Sequence, residues 1–130
     1  HKYFPRYHPG YIKRLIATQN YSAVTAACLL VKKSLFTKVG GLNEKDLTVA
    51  FNDVDFCLKV YHAGFNNIFT PHAMLYHDES KTRGKDYLTP EKKARFEREK
   101  QRLLKKWPHL IKDDPYYNPN LTRSREDFSL

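Results

Sequence analysis

With 130 residues, 41% of them hydrophobic and 14% aromatic, the chain has the material for one core, which excludes a disordered or collagen-like polypeptide. Its 23 basic and 14 acidic residues leave a net charge of +9, which favours anionic partners without choosing among nucleic acid, nucleotide phosphates and acidic lipid head groups. The longest apolar run, Ala23 to Val31, has nine residues, under half of the roughly 20 that a membrane-spanning helix needs.

The predicted elements form a mixed α/β chain. Tyr21 to Val31, rich in small, β-branched and aliphatic residues, predicts a buried strand. Lys32 to Lys38 predicts one or two helical turns, stopped by Gly40 and Gly41, whose backbone freedom suits a tight reversal. Asn52 is an N-cap residue type, and Val54, Cys57, Leu58 and Tyr61 then recur at helical spacing up to Gly64, where a C-cap glycine belongs. Asn67 to Thr70 and Ala73 to His77 predict short strands separated by Pro71, which cannot donate to a ladder.

After a polar loop from Asp78 to Thr89, Thr89 and Pro90 open a second helix with surface pairs Glu91/Arg95, Glu97/Lys100 and Glu99/Arg102. Its apolar stripe is thin, comprising Phe96, Leu103, Leu104 and Trp107, and Pro108 ends it. The tail from Asp113 to Leu130 predicts an extended segment wrapping a neighbouring lobe or subunit.

Charge is laid out in blocks along these elements: +7 over residues 1–38, −4 over 39–80, +7 over 81–106 and −1 over 107–130. An acidic patch between basic stretches suits an active site better than the continuous basic stripe of a nucleic-acid tracker. Cys28 and Cys57 read as buried and lack metal or redox spacing, which predicts free thiols in a reducing, cytoplasmic compartment. The chain opens on His1 with no signal-peptide pattern, so it is expected to be either a processed chain or an excised piece of a longer protein, the second being the preferred reading.

The informative stretch is Gly40 to Arg83, reading Gly-Gly-Leu-Asn-Glu, Asn-Asp-Val-Asp-Phe-Cys-Leu-Lys, Ala-Gly-Phe, Thr-Pro-His-Ala and His-Asp-Glu-Ser-Lys-Thr-Arg. In order and spacing it resembles the second half of an inverting family 2 glycosyltransferase of the GT-A fold, particularly the bacterial surface-polysaccharide and rhamnosyltransferase type. The resemblance implies a partial GT-A fold over residues 1–130, with the motifs in about 20–90, a helix and extended tail in 90–130, and an N-terminal nucleotide-binding half absent. By itself such a piece is expected to be inactive.

An inverting transfer needs a carboxylate to take the proton of the acceptor hydroxyl as that oxygen attacks the anomeric carbon. The resemblance implies Asp53 for this role, and the first turn of a helix suits an acidic side chain through the helix dipole. Asp55, about 200° further round the helix, cannot form a close dyad with Asp53 and is expected to be structural, holding the following loop. Asn52 stands where the family carries a glutamate, which puts the acceptor class in question. Glu44, in the acceptor-facing loop, could bond a sugar hydroxyl or simply be a solvated turn acid.

By the same resemblance, His77 completes the coordination of a divalent metal, manganese or magnesium, while Ser80, Lys81 and Arg83 close over the donor diphosphate. Metal and guanidinium would neutralise the charge of the leaving nucleoside diphosphate. The isolated piece is not expected to hold the metal tightly. His72 reads as a turn residue, and Tyr61, Phe65, Phe69 and Tyr76 read as packing residues rather than sugar platforms.

The implied partners are a nucleotide-diphosphate sugar, a glycan or lipid-linked glycan acceptor, the absent half, and the inner face of the cell membrane as a peripheral contact, with no nucleic acid. The alternative from another class is a basic module binding nucleic acid or an anionic membrane surface, which the +9 charge and the basic helix would serve and the acidic middle would not.

Overall fold

The computed structural model describes residues 5, 7–77, 89–125 and 127–130. Among them, helices α1 (Lys33–Lys38), α2 (Asn52–His62), α3 (Pro90–Lys106) and α4 (Pro108–Lys112) and strands β1 (Gln19–Tyr21) and β2 (Asn67–Phe69) make a mixed α/β fold. The two strands pair antiparallel, Gln19 opposite Phe69 and Tyr21 opposite Asn67. Tyr21 and Phe69 therefore share a face, and their rings meet edge to face at 6.0 Å.

Helix ends follow local chemistry. In α1 the Gly41 amide bonds the Phe36 carbonyl and the Gly40 amide bonds that of Thr37, with Gly40 at φ 79°, a glycine-terminated cap. A side chain on Gly41 would meet the Phe36 ring at 2.8 Å, so the second glycine answers a packing demand as well as a backbone one. Helix α2 ends in the same way at Gly64. Thr89 caps α3 by accepting from the Lys92 amide at 3.3 Å, and Pro90 occupies its first turn.

Helix α2 lies at the centre of the core. Phe56, Cys57, Leu58 and Val60 are buried along it, joined by Leu47 from the preceding loop, Leu103 from α3 and Leu121 from the tail. Asn67 ties β2 to α2: its buried amide nitrogen donates to the carbonyls of Cys57 at 2.9 Å and Ser22 at 3.0 Å.

Several expectations are corrected. The segment from Tyr21 to Val31 is a strand only at Tyr21; Thr25 instead caps a 3-10 turn over Ala26–Cys28. Periodicity could not show that these backbone groups find side-chain partners: the Val24 amide and carbonyl face Cys57 Sγ, and the Ala26 amide bonds Asp53. Cys28 is consequently exposed, whereas Cys57 is buried, and both are free thiols.

Ala73 to His77 forms no strand, and Tyr76 is 80% exposed. The α2 N-cap is Phe51, not Asn52. Glu99 does not pair with Arg102, which instead reaches the Asp46 carbonyl at 3.0 Å. The tail folds back on its own chain: Tyr116 packs on Tyr61 at 6.1 Å, Phe128 stacks on Tyr11 at 4.9 Å, and Ser22 bonds Asp114 at 2.5 Å.

Candidate functional site

The two acids in the first turn of α2 meet different surroundings. Asp53 is half-buried, with Oδ1 accepting from the Val54 amide at 2.9 Å and Oδ2 from the Ala26 amide at 3.1 Å. Each oxygen keeps a further lone pair, so the carboxylate is anchored yet able to accept a proton. The tether to Ala26 bridges 27 residues of sequence.

Asp55 is 0% exposed. Its Oδ1 accepts from the Trp107 indole at 2.7 Å and pairs with Lys106 Nζ at 2.7 Å, while Lys59 Nζ stands 3.6 Å from Oδ2. Lys59 also donates to the Gly41 carbonyl. A buried carboxylate is tolerable when cations and a hydrogen-bond donor enclose it. Asp55 thus has the structural role expected of it, although it clamps the end of α3 rather than the loop that follows.

Cys57 lies one turn beyond Asp53. Burial pushes its thiol up, contact with the Val24 backbone pulls against this, and the negative charge of Asp53 adds to the rise.

The approach to α2 is held by two clasps. Asn52 Oδ1 accepts from the Asn43 amide at 2.7 Å, so its side chain is committed to the loop. Glu99, on α3, is 2% exposed and accepts from Thr48 Oγ1 at 2.8 Å and the Ala50 amide at 2.6 Å. Burial opposes its charge, but these donors, the Val49 backbone and the Arg95 guanidinium outweigh it and hold its carboxyl below the usual range.

Glu44 is exposed and lines a cleft of about 760 Å³ together with Lys45, Lys59 and Lys106. Lys59 and Lys106 are also the cations of Asp55, so this cleft lies on the Asp55 side of α2, and Asp53 is not in its walls. Asn52 and Asp53 are brought together as helix neighbours; Glu44 is not brought to Asp53.

His77 is exposed at the end of the described segment, and Ser80, Lys81 and Arg83 lie outside the described residues. Among the described residues no three His, Cys, Asp or Glu side chains converge as a metal site. His72 is exposed in a turn and donates its amide to Thr70 Oγ1 at 3.4 Å. Tyr61 and Phe69 pack against Tyr116 and Tyr21, whereas Phe65 remains 43% exposed under the Lys38 ammonium.

Sequence reasoning missed two participants, Ala26 and Glu99. A backbone donor has no side-chain signature, and Glu99 sits among five other charged residues between Arg95 and Arg102, where nothing in the pattern distinguishes it. No described helix is long and apolar enough to cross a membrane.

The chain is 55% identical over 130 residues to the Sinorhizobium fredii protein called uncharacterized protein y4gI, covering 100% of this chain and 14% of that one. It is 33% identical over 114 residues to the O-antigen biosynthesis protein RfbC of Myxococcus xanthus, covering 87% of this chain and 8% of that protein. The chain thus spans a small part of the length of these curated relatives. No protein-family model matches it, and no solved structure does.

Proposed function

We propose that this chain is the base-carrying, acceptor-side part of an inverting glycosyltransferase working in surface-polysaccharide assembly. The observation that carries the reading is Asp53: an acid at the start of a helix, anchored by two backbone amides and left half-open. Likeness to an O-antigen biosynthesis protein supports the polysaccharide context.

In the reaction, Asp53 takes the proton of the acceptor hydroxyl as the oxygen bonds to the anomeric carbon. The bond from that carbon to the nucleoside diphosphate breaks on the opposite face, which inverts the configuration. A partial GT-A fold belongs to this reading, with Ser80, Lys81 and Arg83 on the donor diphosphate; Asn52 braces the loop at Asn43 beside the base, and Glu44, in the cleft on the Asp55 side of α2, takes no part at Asp53. His77 offers one donor to a divalent metal, whose remaining ligands would come from outside the described residues, and no step is derived through it.

Partners on this reading are a nucleotide-diphosphate sugar and a glycan or lipid-linked glycan. Lys93, Arg98, Lys100 and Lys105, exposed on α3, suit a peripheral contact with an anionic membrane face. The test is Asp53→Asn in the full-length protein, assayed for sugar transfer from a panel of radiolabelled nucleotide sugars to membrane acceptors. Transfer is expected to fall by about 10²–10⁴-fold with donor binding retained. Turnover at the unsubstituted rate overturns the role.

A further inference from the structure

Helix α3 has a strongly charged sequence, yet the side chain that it buries most completely is an acid, Glu99. A glutamate on a helix surface normally pairs with its own helix and remains solvated. Glu99 instead points across to the segment immediately before α2, taking the Thr48 hydroxyl with one oxygen and the Ala50 amide with the other.

The next residue, Phe51, is the N-cap of α2 with φ 60°, a left-handed conformation that is costly for an aromatic residue. No side chain caps the helix there. The Phe51 ring lies 5.0 Å from that of Phe96, one turn before Glu99 on α3. The backbone at residues 48–51 is therefore set from α3 through two hydrogen bonds and a ring contact.

The starting point of α2 decides where Asp53 points, because each residue of helix turns a side chain by about 100°. The 3.1 Å bond from the Ala26 amide to Asp53 reads that direction out. The opposite end of α3 is held independently by Trp107 and Lys106 on Asp55, so losing the Glu99 contacts need not detach the helix.

We infer that Glu99 is a positioning residue for Asp53, holding the Thr48–Phe51 segment so that α2 begins in the register that aims the carboxylate. This rests on Asp53 being the base, and the experiment separates failure of one from failure of the other. The probe is the Ala26 amide, observed by nitrogen-15 NMR and hydrogen exchange in the chain carrying Glu99→Gln. Trp107→Phe is the control, compared after adding urea until the two variants have equal global stability.

Glu99→Gln is expected to lower Ala26 protection by about tenfold and shift its resonance, with the control leaving both in place. In the full-length protein the same substitution is expected to lower kcat while leaving donor KM unchanged. Thr48→Val, which removes only one contact, should move both readouts in the same direction by less, and it serves where Glu99→Gln does not fold.

An Ala26 amide no more perturbed than in the control overturns the inference, as does turnover that stays at the unsubstituted rate. If Asp53→Asn itself retains turnover, the base assignment falls, and with it the catalytic part of the inference, whatever the amide reports.

Discussion

Asp53 and Asp55 are the same residue type two positions apart on one helix, and their surroundings have almost nothing in common. Asp53 faces a turn of backbone and keeps part of its surface open; its partners are the amides of Val54 and Ala26. Asp55 faces α3 and is fully enclosed by an indole and two ammonium groups. The difference teaches that a repeated acid in a motif can divide its labour, one side of the helix presenting a carboxylate and the other fastening the helix that backs it.

Breaking each acid in turn should separate the two roles. Asp53→Asn is expected to lower transfer by about 10²–10⁴-fold while changing stability by about 1 kcal/mol, since its one amide oxygen can still accept from one of the two backbone amides. Asp55→Ala should do the opposite in kind: removing the enclosed carboxylate leaves Trp107 and Lys106 facing no acceptor, and the urea midpoint should drop by the equivalent of about 3 kcal/mol. Equal stability losses for the two variants would erase the distinction.

Trp107→Phe gives a smaller loss on the Asp55 side, about 1.5 kcal/mol in the same denaturation experiment, because Lys106 still bonds the carboxylate. Acid unfolding adds a pH test of the support that Glu99 provides. The folded state holds this carboxyl below its ordinary value of 4.5, so its stabilising contribution is complete above about pH 4.5 and disappears as pH falls through the lower folded value. Glu99→Gln should flatten that acidic limb of the stability curve and leave the region above it parallel to the original. A limb of unchanged steepness would contradict the assignment.

The smallest effect concerns the thiols. Cys28 is exposed and should react rapidly with a thiol reagent near pH 8, while Cys57, buried and with its thiol pushed up, should react slowly. Removing the negative charge in Asp53→Asn should speed Cys57 modestly, a direct sign that the two side chains feel each other. No change in the Cys57 rate would place Asp53 further from it electrostatically than the structure does.

Much of the helical framework was legible because its signals are local. Thr89 and Pro90 announce the start of α3, and Gly40 and Gly64 announce the ends of α1 and α2, through bonds that span only a few residues. The strand expected from Tyr21 to Val31 was not legible in the same way. Its apolar run is compatible with a strand, but the Val24 and Ala26 backbone groups meet Cys57 and Asp53 from α2 rather than a neighbouring strand.

At the site, the candidacy of Asp53 came from its motif, and the separation of Asp53 from Asp55 came from helix geometry. By itself, then, the sequence determined the mixed α/β character, the position of α2 and the opposed directions of its two acids, because caps and helical periodicity act within a turn or two. Tertiary structure alone decided that Asp53 meets the Ala26 amide, that Asp55 is closed in by Trp107, and that Glu99 is buried against Thr48 and Ala50. Those partners lie 27, 52, 51 and 49 residues away, and only the packed chain brings them within hydrogen-bond distance.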